Sequence, residues 1–144
     1  MDRLTIKHRS WNMSRIKSRN TKPELILRRY LHKSGFRYRV NYPLFGKPDL
    51  VFPKKKIAIF VHGCFWHQHG CKNSVIPKTN NAFWKEKLNK NVSRDKKVAK
   101  ELKGKQWICK TIWECEIEDK LQNTTTMLVD FLYKTGVKSK QHNL

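Results

Sequence analysis

The densest chemistry in the chain lies between Val61 and Cys71. Val61-His62-Gly63-Cys64-Phe65-Trp66-His67-Gln68-His69-Gly70-Cys71 brings two Cys and three His into eleven residues. Thiolate and imidazole are the ligands a tetrahedral Zn²⁺ prefers, and a structural site needs four of them. Cys64, His69 and Cys71 are close enough to supply three, and Cys115, just past a strand-like run at Trp107–Ile112, is the best source of the fourth. Cys109 falls inside that run and reads as a buried thiol. The spacing matches no standard finger, so reduced core Cys with exposed His are the alternative. In favour of zinc, Gly63–Cys71 is polar and kinked, and a metal tying it to a distant strand contributes folding energy.

His62 and His67 are then left without a zinc to bind. Hydrolysing a phosphodiester takes a base to activate water, a cation at the phosphate and a proton for the leaving oxygen. An imidazole near its unperturbed pKa serves the proton transfers at neutral pH. The cation needs oxygen ligands, and Asp49 in Gly46-Lys47-Pro48-Asp49 is placed to offer one. Asp49-Leu50-Val51-Phe52 and Ile57-Ala58-Ile59-Phe60-Val61 form a hairpin pattern about Lys54-Lys55-Lys56. A turn centred on Lys54 and Lys55 sets Asp49 opposite Phe60 or Val61, where a carboxylate and a main-chain carbonyl can share a Mg²⁺. A slip of one residue would turn Asp49 to the opposite face, and a turn residue after Pro48 is the plain alternative. Glu24 is a second candidate for the site, although its place three residues after Thr21 also fits a capping box. Phe65-Trp66 and Phe83-Trp84 are either core pieces or wedges between base steps.

Thirty-two Lys and Arg against eleven Asp and Glu leave the 144-residue chain at net +21. A field of that sign implies a partner of dense negative charge, duplex DNA or RNA first. No run approaches the ~18 apolar residues of a membrane span. Residues 1–17 are charged and lack the apolar core of an export signal, and four Cys without one fit a reducing cytoplasm.

These groups require a scaffold. Residues 1–20 read as a basic arm with a short helix near Met13–Lys17. Thr21, Pro23 and Glu24 start a helix that carries Leu25, Leu27, Tyr30 and Leu31 and stops near Gly35. Phe36–Val40 is strand-like, and the hairpin follows turn signals at Pro43 and Gly46. A long helix over about Ala82–Lys103, a strand at Trp107–Ile112 and a helix over about Asp119–Tyr133 complete an α-β-β-β-α-β-α order. That order suits an α/β fold, a mixed β-sheet flanked by helices.

Taken together, the residues from about His8 to Glu116 resemble the very short patch repair endonucleases, bacterial enzymes that nick DNA beside T:G mismatches. The resembling segments are Ser10-Trp11-Asn12-Met13, Thr21 to Glu24, Gly46 to Val51, Phe60 to Cys71, Phe83-Trp84, Asn91-Val92-Ser93-Arg94-Asp95 and Trp113-Glu114-Cys115. His62-Gly63-Cys64-Phe65-Trp66-His67 is the most specific of them. Gly-Lys-Pro-Asp also resembles the Pro-Asp half of the restriction-endonuclease motif, with Phe60, Val61 and His62 standing in for its usual acidic and Lys half. The resemblance implies a restriction-endonuclease-like fold, with an arm at 1–20, a nuclease domain at 21–135 and a polar tail at 136–144. It implies Mg²⁺ on Asp49 and the Val61 carbonyl, proton transfer by His67, support from Glu24 and His62, and structural Zn²⁺ on Cys64, His69, Cys71 and Cys115. It further implies Phe65, Trp66 and Trp84 pushing into the duplex, an arm with Trp11, Asn12 and Met13 embracing the DNA, and a nick 5′ to the mismatched thymine left when 5-methylcytosine deaminates. The expected setting is a bacterial cytoplasm, near the nucleoid, as a monomer paired in function with a cytosine-5 DNA methyltransferase. The family commonly has Thr at the position of Val61, so a hydroxyl is lost there while the main-chain oxygen remains. Alternatives on the same residues are a restriction-type nuclease cutting unmismatched DNA and a non-enzymatic, zinc-stabilised DNA-binding module.

Overall fold

The structure is a computed structural model that describes residues 20–140. The arm residues Trp11, Asn12 and Met13, the expected helix at Met13–Lys17 and the last residues of the tail lie outside the described residues. Helix α1 spans Lys22–Lys33, with Thr21 extended at its N-cap and accepting the Glu24 N–H through Oγ1 at 3.4 Å. Its end follows the expected glycine signal. Gly35 sits at φ +93°, its N–H donates to the His32 carbonyl, and the Phe36 N–H donates to that of Leu31. This reciprocal pair satisfies two orphan carbonyls and swings Phe36 into the core.

Strand β1 (Leu50–Phe52) pairs antiparallel with β2 (Ile57–His62), Leu50 facing Ile59 and Phe52 facing Ile57. Continuing that register puts Phe60 across from Asp49, as the hairpin pattern anticipates. β2 then pairs in parallel with β3 (Ile108–Trp113), from Ile57↔Ile108 to His62↔Trp113. The sheet is therefore mixed, in the order β1-β2-β3. The long helix α2 (Asn81–Gly104) makes the crossover between β2 and β3, and two helices close the fold, α3 (Glu114–Asp119) and α4 (Leu121–Lys134).

The alternation of β2 divides the core. Ile57 and Ile59 pack with Leu27 and Leu31 of α1 and Leu128 and Leu132 of α4, while Ala58 and Phe60 pack with Val98 and Leu102 of α2. Helices thus cover both faces of the sheet. Two elements differ from expectation. Phe36–Val40 is not a strand; it contributes one isolated bridge, Arg39↔Val51. Asn41 at φ +54° and Pro43, which has no N–H, end pairing there. The single terminal helix is two, because Lys120 leaves helical geometry at φ −137°. Among the described residues no helix is long and apolar enough to cross a membrane.

Candidate active site and metal centre

The loop after β2 folds the Cys/His-rich segment back on itself, the His67 N–H donating to the Gly63 carbonyl and the His69 N–H to that of Cys64. This brings Cys64, His69 and Cys71 together, and the start of α3 delivers Cys115; the four ligand atoms all lie within 4.8 Å of one another. The His69 Nδ1 is 3.8 Å from the Cys64 Sγ and 3.4 Å from the Cys115 Sγ. Bonds of ~2.3 Å to sulfur and ~2.0 Å to nitrogen at tetrahedral angles put such atoms about 3.5 Å apart, so the set fits a zinc ion. Burial pushes the Cys64 thiol up to about 12 and raises that of Cys115 as well. A bound cation is what would let these thiols stand as thiolates. Cys109 is apart from them, partly buried beside Ala58 and Phe60.

His62 ends β2 and faces α2, on the same side as Ala58 and Phe60. Its ring stacks on that of His67 at 3.8 Å and 8°. His67 in turn places Nδ1 2.6 Å from the Asp95 Oδ2 of α2. Desolvation, reinforced by His67 and opposed by Asp95, pulls His62 down to about 4, so its ring is neutral at physiological pH. The carboxylate of Asp95 can only accept, so Nδ1 is the nitrogen that carries the proton, and in the neutral ring Nε2 is the acceptor, the arrangement a general base needs. Asp95 falls in the resembling segment Asn91–Asp95, but the sequence reading gives it no role. Its signal was present, since Asn91 and Asp95 stand four apart on one helical face. Both reach the loop, the Asn91 Nδ2 donating to the Trp66 carbonyl at 3.1 Å.

Asp49 lies where β1 begins. Its own N–H donates to the Ile59 carbonyl at 3.0 Å, and its Oδ2 accepts the Val61 N–H at 2.7 Å. In a strand the N–H and C=O of one residue point to the same edge, so the Val61 carbonyl shares the side on which Asp49 sits. The turn before it is held against α2 at Gly46 (φ +84°), where a Cβ would collide with Val98. Glu24, fully buried, lies beside Asp49, the two sharing a small pocket with Arg28. Desolvation, and next the Glu24 carboxyl, push Asp49 up to about 8 despite the Val61 N–H. Glu24 also accepts the Asn20 N–H at 3.0 Å and pairs with Arg28. The capping-box reading is half met, because the Glu24 carboxylate takes the N–H of Asn20 rather than that of the cap residue. A buried carboxyl whose proton is held by its surroundings, with a second carboxyl behind it and a main-chain carbonyl beside it, is a donor set that fits a hard divalent cation.

Asp49, His62, His67 and Asp95 all line one cleft of about 1050 Å³ between α2 and the sheet. At its rim Phe65, Trp66 and Trp84 meet edge to face at 5.2–5.9 Å. Phe83, half exposed, joins Trp84 at 5.3 Å, and Lys87 lies over Trp66. These rings are partly exposed beside cations and stand outside both core clusters.

Residues 1–73 match the family described as DNA mismatch endonuclease Vsr. The chain is 45% identical over 120 residues to the type II nicking enzyme V.NmeAIP of Neisseria meningitidis, an overlap of 83% of this chain and 86% of the relative. It is 38% identical over 125 residues to the DNA mismatch endonuclease Vsr of Escherichia coli, covering 86% and 80%. The chain belongs to the Vsr endonuclease family. V.XorIIP of Xanthomonas oryzae, also described as a type II nicking enzyme, is 40% identical over 119 residues, covering 82% and 88%. The catalytic domain of the homing endonuclease I-Bth0305I superposes with a TM-score of 0.57 at 21% identity, covering 81% of this chain and 99% of that domain. That likeness concerns the fold, the restriction-endonuclease-like arrangement of a mixed sheet between helices. As a Vsr-family member the chain is a DNA endonuclease, and the cleft is the place in its described residues where carboxyls and imidazoles converge.

Proposed function

We propose that this endonuclease is Mg²⁺-dependent and nicks one strand of duplex DNA 5′ to the thymine of a T:G mismatch. The observation that carries the reading is the convergence of Asp49, His62, His67 and Asp95 on one cleft, with Glu24 beside Asp49 in a small adjoining pocket. The relative from Escherichia coli described as a mismatch endonuclease, and those described as nicking enzymes, support the substrate and the single-strand cut.

Asp49 and the Val61 carbonyl hold the Mg²⁺, with Glu24 behind Asp49. When bound, the ion supplies positive charge at the scissile phosphate. His67 Nε2 takes a proton from the attacking water while Asp95 holds Nδ1–H; the water oxygen bonds to phosphorus as the bond to the leaving oxygen breaks, and that oxygen keeps the electron pair and takes a proton from solvent water. His62, neutral, keeps the His67 ring in plane. The zinc on Cys64, His69, Cys71 and Cys115 is structural. Phe65, Trp66 and Trp84 wedge into the stack beside the mismatch, and the arm at residues 1–20, with Trp11, Asn12 and Met13, embraces the duplex ahead of the nuclease domain (21–135) and the tail (136–144). The protein acts as a monomer in the bacterial cytoplasm at the nucleoid, repairing the deamination product of a partner cytosine-5 methyltransferase.

The test is incubation with Mg²⁺ and duplexes identical except for T:G or C:G at one position, across several flanking contexts. A nick in the T-bearing strand of the T:G duplex is expected. Equal cutting of both duplexes, or none in any T:G context, removes the mismatch assignment.

A further inference from the structure

The Cys/His knot and the His62–His67–Asp95 group are separate sets of side chains, yet one ring touches both. Trp113 closes β3, directly across the parallel register from His62. Its indole lies flat on His69 at 4.2 Å and 8°, and meets His62 edge-on at 5.3 Å and 75°. His62 stacks on His67, and His67 bonds Asp95. A continuous run of contacts therefore leads from a candidate zinc ligand to the candidate base.

The two ends of this run differ in how firmly they are held. The Trp113 backbone is fixed by the sheet register and by its N–H donating to the Glu116 Oε1 at 3.1 Å. His67 and His69 stand on an irregular loop in which Gln68 and Gly70 both take positive φ. A planar ring on a fixed backbone gives that loop a reference surface. A bulky aliphatic group would fill the same space but impose no plane on the imidazoles.

We propose that Trp113 is a positioning residue: its indole, anchored on the Cys/His knot through His69, sets how the His62 and His67 rings stand against the sheet. The proposal rests on the endonuclease reading of His67 given above. Small displacements of a reacting group are costly, about 10²-fold for a shift on the order of 1 Å.

Trp113→Leu and Trp113→Phe are compared at matched zinc content, and Trp113→Met replaces the Leu variant should that one not fold. Nicking of a T:G duplex gives kcat and KM, and proton NMR follows the downfield proton of the short His67–Asp95 hydrogen bond. Trp113→Leu is expected to lower kcat roughly 10- to 100-fold with KM within about two-fold, and Trp113→Phe to recover most of the loss. The downfield proton should shift or broaden in the Leu variant and return in the Phe variant. Unchanged kcat with an unmoved proton in Trp113→Leu overturns the proposal, as does a Phe variant no better than Leu. Should the unsubstituted protein nick no duplex, the endonuclease reading of the cleft fails, while the proton still decides the role of Trp113. In that case a proton unmoved by Trp113→Leu means that Trp113 only fills space, and a proton absent from the unsubstituted protein removes the His67–Asp95 hydrogen bond on which the proposal is built.

Discussion

A buried carboxyl beside a second one resists losing its proton, and Asp49 next to Glu24 is such a group even with Arg28 close by. Asp49 is raised to about 8 in the folded chain, whereas an unfolded Asp titrates near ~3.9. Between those values the metal-free folded protein holds a proton that the unfolded chain has released. Metal-free stability therefore falls as pH rises from about 4 to about 8. Asp49→Asn keeps an acceptor for the Val61 N–H and offers Glu24 a donor, and it has no proton to lose. The variant should gain on the parent as pH rises from about 4 to about 8, seen as a Tm difference that widens over that range by several degrees or more. In the parent, Mg²⁺ must displace that proton, so its affinity should rise about ten-fold per pH unit below pH 8 and level off above it. Thermal melts and Mg²⁺ titrations between pH 5 and 9 check both. A melting difference that does not vary with pH would show that Asp49 is not the titrating group.

At the scale of elements, the loop from Gly63 to Cys71 has almost no apolar side chain turned into either core cluster, and Cys64 is its one fully buried member. Its shape depends on α2, through Asn91 and Asp95, and on the four-ligand knot closed by Cys115 at the start of α3. Cys115→Ala should bring zinc from about one per chain to well below it, and remove several kcal/mol of stability. Nicking should vanish because His67 belongs to that loop, while the helical signal of α1, α2 and α4 persists below the lowered melting point. Full zinc content with an unshifted Tm would separate Cys115 from the knot. The legibility of the sequence follows the same physics. The hairpin register could be read because a Lys-rich turn and two apolar runs leave little freedom, and α1 because cap, Pro and Gly are local signals. The Cys/His set could be read because few residue types bind soft metals. Asp95 was not, since a carboxylate amid the basic residues of α2 reads as solvated surface until the loop folds onto it. The Phe36–Val40 strand was over-read because β-propensity says nothing of whether a partner edge continues, and the break at Lys120 has no Gly or Pro to announce it.

Among the described residues the positive charge is spread unevenly with respect to the cleft. Lys87, Arg94 and Lys96 of α2 line it along with Lys47, while Lys54 and Lys55 lie at the hairpin tip beyond the far end of β2. The six-residue strand Ile57–His62 runs from that tip to His62, roughly 20 Å. Net charge alone would let every lysine contribute alike to DNA affinity, whereas a duplex seated on the cleft weights those at its walls. Association should therefore weaken steeply with salt, with a slope of log K against log salt of about −6 or steeper. Replacing Lys87 or Lys96 by Ala should reduce that slope by about 1 each and weaken matched and mismatched duplexes equally, because phosphate contacts carry no base information. Lys54→Ala removes the same charge from the remote tip and should leave the slope nearly unchanged. Binding isotherms at four or more salt concentrations distinguish the cases. Equal slopes for all three variants would mean that the cleft does not seat the duplex and that DNA is held by diffuse attraction over the surface.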